Sequence, residues 1–169
     1  DESSRAAGQL LDHAMITFRA DHLDGQDLDL VDLVQDLVVR LGPIADMRDV
    51  DMQVDAPVAV PVAGDAILLQ NAIRNIVDNA LKYAPRESAI HIDVTTFPSP
   101  RVTVRDEGPG FPVAEIAGLP DRFTRGSNAD GIIGSGLGLT IAQDVAAAHG
   151  GALKLGNHPK GGACVIFSF

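Results

Sequence analysis

The sequence predicts an α/β sandwich in which a mixed β-sheet is covered on one face by α-helices. Three observations point there. Segments with helical periodicity and segments with strand alternation are intermixed along the 169 residues without strict alternation. A long amphipathic helix lies mid-chain, with short strands before and after it. The chain is 46% hydrophobic with a single cysteine, Cys164. A domain of this length buries roughly 68–70% of its unfolded surface, so it needs neither a disulfide framework nor a structural metal.

The elements follow in order. Residues 5–22 carry Leu10, Leu11, Ala14, Ile16 and Phe18 among polar residues, a helical pattern stopped near Asp24-Gly25. Leu30, Leu33, Val34, Leu37, Val38 and Leu41 recur at spacings of three and four, predicting a second helix that breaks at Gly42-Pro43. Short strands are expected at 50–54 and 58–62. A third helix should run over 65–83 and end at Ala84-Pro85. Ile90-His91-Ile92-Asp93-Val94 and Val102-Thr103-Val104 alternate as strands, joined by a turn at Pro98-Ser99-Pro100. Residues 112–135, rich in Gly, Pro, Asp and Arg, read as a long functional loop. A glycine turn at 134–138 then opens a helix to about His149, and strands at 152–157 and 162–169 close the chain.

Charge is unevenly spread. The net charge is -10, and residues 1–60 hold 13 acids against four bases, while residues 61–169 hold 10 acids against nine bases. An acidic chain with 4% aromatic residues lacks the basic stripe or stacking platform of a nucleic-acid surface. The same acidity argues against contact with anionic lipid. No apolar run reaches the roughly 18 residues of a membrane span, and no signal-peptide pattern is present. The chain starts at Asp1 rather than Met, so it reads as a fragment.

Three patterns carry chemistry. On the 65–83 helix, Asn71, Asn75, Asp78, Asn79 and Lys82 share one arc at about 100° per residue, opposite Leu69, Ala72, Ile73, Ile76 and Ala80. A solvated face explains the charges but not three asparagines, which are mediocre helix formers. An amide oxygen is a neutral hard ligand for magnesium, and Lys82 could meet a phosphate. Asp106 shares parity with Val102 and Val104, so its carboxylate faces the buried side, where it needs hydrogen bonds. Gly108 and Gly110 follow it, as in a common Asp-Gly turn or in a close backbone approach to a flat ligand. Finally, Gly134, Gly136 and Gly138 precede a helix whose free N–H groups favour an anion. There is no P-loop lysine and no preceding Rossmann strand.

Taken in order, Asn75-x-x-x-Asn79-Ala-x-Lys82-Tyr83, Asp106-x-Gly108-x-Gly110, Arg122-Phe123-x-Arg125 and Gly134-x-Gly136-Leu137-Gly138-Leu139 resemble the asparagine, first glycine, phenylalanine and second glycine boxes of sensor histidine kinase catalytic domains. The resemblance implies the Bergerat ATP-binding fold over residues 25–169, with residues 1–24 as the remnant of a dimerisation and phosphotransfer helix. It implies that Asp106 accepts from the adenine amino group, that Gly108 and Gly110 line the base and that Tyr83 packs near it. Asn79 would hold Mg2+, with Asn75 beside it and Lys82 on a phosphate. Gly134, Ser135, Gly136, the Leu137 amide and Gly138 would wrap the phosphates. Arg122 and Arg125 would reach the γ-phosphate from a lid at 112–135 in which Phe123 is an apolar anchor.

An aspartate there favours ATP over GTP, because guanine presents a carbonyl oxygen instead of the amino group; such a mismatch can cost roughly 10⁴ in discrimination. Related ATPases that hydrolyse ATP resemble one another in a Glu four residues before the metal-binding Asn. Here Asn75 occupies that position and has no useful basicity. The expected function is therefore transfer of the ATP γ-phosphoryl to a histidine on the missing hairpin. His13 lacks the acid and proline of a phosphoacceptor context. Neither His22, His91, His149 nor His158 shows metal-ligand spacing. The alternatives are a nucleotide-sensing module of the same fold or an ATPase. The resemblance further implies a response regulator receiver domain as downstream partner, a monomeric fragment of a homodimeric kinase, and a cytoplasmic placement below a membrane-anchored bacterial sensor.

Overall fold

The computed structural model describes residues 2–21, 23, 25–112 and 137–169. Helix α1 (Glu2–Asp21) is followed by strand β1 (Gln26–Asp29), helix α2 (Leu30–Met47), strands β2 (Val50–Asp55) and β3 (Pro61–Gly64), and helix α3 (Ala66–Tyr83). Strands β4 (Ser88–Thr95) and β5 (Arg101–Arg105), helix α4 (Leu137–Ala148), and strands β6 (Ala152–Asn157) and β7 (Ala163–Ser168) complete the order.

The main sheet has five strands in the order β2-β4-β5-β7-β6. Only β2 and β4 run parallel; the other pairs are antiparallel, so the sheet is mixed as the sequence predicts. Alternation sets its two faces. Ile90, Ile92, Val94, Val102, Val104, Val165 and Phe167 are buried beneath the helices, while His91, Asp93, Thr103 and Arg105 lie on the opposite, partly exposed face. Helix α2 packs on β2, α3 on β5 and β7, and α4 on β6 and β7, while α1 lies against α4. Leu69, Ala72, Ile73, Ile76 and Ala80 of α3 are all buried in this core, so the apolar arc read from the sequence is the packed face.

Two aspartates start the central helices. Asp29 ends β1 and caps α2, accepting from the Val31 and Val60 N–H groups at 3.0 and 2.9 Å. Asp65, 5% exposed, caps α3 by accepting from Ile67 and Leu68 at 2.9 and 3.1 Å. Its own N–H donates to His149 Nε2 at 3.1 Å, and His149 Nδ1 bonds the Val145 carbonyl at 2.8 Å. His149 thus ties the start of α3 to the end of α4, more than the helix-end residue the sequence suggests. At its other end α3 stops where Ala84, which precedes Pro85, turns extended with ψ 130°.

Two expectations need correction. Helix α2 does not break at Gly42-Pro43 but continues to Met47 with Pro43 inside it. The residue before a proline avoids helix because its Cβ meets the ring, and glycine has none. The lost bond frees the carbonyl of Val39, which is 77% exposed and can turn to water. The strand expected at 58–62 sits at 61–64, outside the main sheet. It pairs antiparallel with β1, a strand the sequence reading did not place.

Candidate functional site

The site residues are set by three structural junctions. The first is the end of β5. Asp106 is 2% exposed, as its parity predicts. Its Oδ1 accepts from the N–H groups of Gly108 at 2.8 Å and Ala163 at 3.1 Å. Its backbone N–H donates to the Ala163 carbonyl at 3.0 Å. Oδ2 has no hydrogen-bond partner among the described residues. Burial pushes this carboxyl above its ordinary pKa of 3.8, while the Gly108 and Ala163 N–H groups oppose the rise. One oxygen of a buried carboxylate is thus fixed by backbone, and the other is left as an acceptor.

Glycine is required around that carboxylate. A Cβ at Gly108 would lie 2.5 Å from the Tyr83 carbonyl oxygen, so the turn rests directly on the end of α3. Gly110 has φ 78°, a conformation side chains disfavour. Gly162, φ 95°, faces Asp106 from the β6–β7 turn, and a Cβ there would overlap the Asp106 carbonyl oxygen.

The second junction is the polar stripe of α3. Asn71 donates from Nδ2 to the Ile67 carbonyl at 3.0 Å, and Asn75 from Nδ2 to the Asn71 carbonyl at 2.9 Å. Asn75 Oδ1 faces the first turn of α4, where a Cβ on Gly138 would lie 3.6 Å away. The side-chain amide of Asn79 and the ammonium of Lys82 make no hydrogen bond or ion pair among the described residues. Asp78 does not share that freedom: burial raises its pKa, Arg74, Lys82 and Arg48 oppose the rise, and Arg74 Nε lies 3.6 Å away.

The third junction is the start of α4 at Leu137, where a phosphate-wrapping turn is expected. Among the described residues, Asn75 in the middle of α3 faces Gly138 at the α4 start, Tyr83 at the end of α3 meets Gly108 beside Asp106, Asn79 and Lys82 lie between Asn75 and Tyr83 along α3, and Gly110 follows Gly108 in the turn. Gly134, Ser135, Gly136, Arg122, Phe123 and Arg125 lie outside the described residues, as does all of the expected lid beyond Pro112. Glu107 is not turned toward α3; its Oε2 accepts from the Ala89 N–H at 2.8 Å.

Sequence reasoning missed the β6–β7 turn. Ala163 holds Asp106 from 57 residues away in the chain, and Gly162 packs against it. The available signal was the Gly161-Gly162 pair between the strands expected at 152–157 and 162–169.

A family model described as histidine kinase-, DNA gyrase B-, and HSP90-like ATPase matches residues 64–169. This chain belongs to that family. Sequence relatives include the sensor protein QseC of Escherichia coli O157:H7, 33% identical over 163 residues that cover 92% of this chain and 35% of the relative. The sensor-like histidine kinase SenX3 of Mycobacterium bovis is 35% identical over 142 residues, covering 81% of this chain and 34% of the relative. The chain therefore spans about a third of the length of these curated relatives. The solved mycobacterial sensor histidine kinase MprB superposes with a TM-score of 0.74 at 26% identity, over 85% of this chain and 95% of that one. The Bergerat-type sheet and helix layer are thus those of a histidine kinase-type ATPase domain. All three junctions of the ATPase domain lie inside the matched range. Among the described residues no helix is long and apolar enough to cross a membrane.

Proposed function

We propose that residues 25–169 form the catalytic domain of a two-component sensor histidine kinase. It binds Mg-ATP and presents the γ-phosphoryl to a histidine on a dimerisation hairpin, with residues 1–24 the remnant of the hairpin's second helix. The observation that carries the nucleotide reading is the Oδ2 of Asp106, a buried acceptor without a described partner beside three glycines. It suits the amino group of adenine and opposes the carbonyl of guanine.

The donor set fits one divalent cation held jointly with phosphates. Among the described residues no group of three or more His, Cys, Asp or Glu side chains could hold a metal by itself. Asn79 contributes one uncommitted amide oxygen, and magnesium commonly takes few protein ligands, with phosphate oxygens and water completing its shell. When bound, magnesium supplies positive charge to the phosphoryl oxygens. The chain's own residues do the rest. Lys82 meets a phosphate oxygen, the Leu137 and Gly138 amides at the α4 start face the phosphates, and Tyr83 packs near the base. The resemblance adds Gly134, Ser135, Gly136, Arg122 and Arg125 to the phosphate side.

Asn75 argues for transfer rather than hydrolysis. Its Nδ2 is committed to the Asn71 carbonyl, and an amide cannot take a proton from water near neutral pH. With Glu107 bonded to the Ala89 N–H, neither group serves as a base for water. We further propose that the whole protein is a sensor kinase, as its relatives are named, with its own hairpin and a response regulator receiver domain as partners and this segment on the cytoplasmic side of a membrane-anchored homodimer.

Incubating the chain with γ-labelled ATP, magnesium and a hairpin fragment carrying the phosphoacceptor histidine tests the reading. Acid-labile label on the hairpin, dependent on magnesium, is expected. Magnesium-dependent ATP binding with no transfer points to the nucleotide-sensing module, and rapid phosphate release without a hairpin points to an ATPase.

A further inference from the structure

The first glycine turn is gripped by a residue that no box contains. Asn157, the last residue of β6, donates from Nδ2 to the Phe111 carbonyl at 2.7 Å and accepts at Oδ1 from the Phe111 N–H at 2.7 Å. A single amide thus satisfies both backbone groups of Phe111, as a neighbouring strand would, where β5 has already ended at Arg105. The same Oδ1 lies 2.7 Å from where a Cβ on Gly110 would sit, so the absence of a side chain there is what lets the amide in. Gly110 has φ 78°. Phe111 is 9% exposed and joins the core, giving the turn a buried anchor at its far end. The near end is fixed by Ala163, which bonds Asp106 at both its N–H and its carbonyl.

We infer that Asn157 is a positioning residue for the nucleotide base: its amide sets the backbone of Gly110–Phe111 against Asp106, so that β6, the Asn157–Ala163 turn and β7 together form the rear wall of the base pocket. The inference rests on the proposed nucleotide function and names a residue that acts through Gly110 and Phe111, with no contact to the ligand required. Removing the amide leaves a buried N–H and a carbonyl to find water, and frees a glycine that has a wide choice of conformations. The base end loosens, while Asn79 and Lys82 on α3 keep their places.

The test measures binding of adenosine and of magnesium triphosphate separately to the wild-type chain, Asn157→Ala and Asn157→Ser. Asn157→Ala is expected to weaken adenosine by about tenfold and leave magnesium triphosphate within about twofold. Asn157→Ser, with one hydroxyl for one of the two bonds, should lose about threefold. Amide exchange at Phe111 should accelerate in both. Equal adenosine affinity in the wild type and both variants overturns the inference and leaves the nucleotide function standing. Equal losses for both ligands also overturn it, because they mark general destabilisation. If the alanine variant does not melt cooperatively, the serine variant carries the same comparison. A wild-type chain that binds neither adenosine nor magnesium triphosphate overturns the nucleotide function itself.

Discussion

The two ends of the candidate site are built on opposite plans. At the base end, Asp106, Gly108, Gly110 and Phe111 are locked by the backbone of Tyr83, Gly162 and Ala163 and by the side-chain amide of Asn157. At the phosphate end, the Asn79 amide and Lys82 ammonium extend from α3 with no hydrogen bond or ion pair among the described residues. On the proposed function, the difference follows from what each ligand part offers. A flat base with one amino group is selected by shape and a single hydrogen bond, which demands fixed walls. Phosphates and a cation are held by charge, and rotatable side chains can adapt to them. A buried carboxylate held by two N–H groups keeps its unpaired oxygen where an amino group can reach it.

Breaking the locked end should have the largest effect. Gly162→Ala puts a Cβ into the Asp106 carbonyl at a backbone φ of 95°, so it should cost roughly 2–4 kcal/mol of stability, read by denaturant unfolding. A tolerated Gly162→Ala, with unchanged melting, would mean that the β6–β7 turn does not clamp Asp106.

A smaller effect comes from the charge on Asp106 itself. Its folded pKa is raised above 3.8. The folded chain therefore holds this proton to higher pH than the unfolded chain does, and the stability contributed is full below 3.8 and lost as pH rises through the folded pKa. Asp106→Asn removes this loss. In the absence of nucleotide, the variant's melting temperature should exceed the wild type's at neutral pH, with the gap closing as the pH is lowered toward the unfolded value. A constant gap across the titration would show that the carboxyl ionises without cost.

The smallest effect should come from outside both ends. Arg86 Nη1 meets Asp49 Oδ2 at 2.8 Å, with both side chains more than half exposed. Arg86→Ala should change stability by less than about 0.5 kcal/mol and leave nucleotide affinity unaltered, which makes it the control for the other two.

The adaptable end was the more legible in sequence. Asn71, Asn75, Asn79 and Lys82 recur at the helical period opposite a buried apolar arc, so one helix writes the whole pattern locally. Asp106 was legible for a similar reason, since its parity with Val102 and Val104 turns it inward. The locked end is written in contacts between distant segments. Asn157 and Ala163 lie 46 and 57 residues from their partners Phe111 and Asp106, and no period or spacing marks such pairs. In the fold, β1 escaped notice because Gln26–Asp29 is four residues long with one apolar side chain, too short for alternation to register. Helix α2 was cut short because Gly42-Pro43 is a stop signal locally, whereas buried Ala45 one turn later continues its apolar stripe.

The central claim is that Asp106 Oδ2 reads the amino group of adenine, and the direct measurement is ADP affinity of the wild-type chain against Asp106→Asn at neutral pH. The variant presents an amide in place of the carboxylate and loses the charged acceptor. The affinity is expected to fall about a hundredfold, with the wild type alone discriminating against a purine nucleotide that lacks the 6-amino group. Equal ADP affinity in the two proteins, with the amino group immaterial to both, would contradict it.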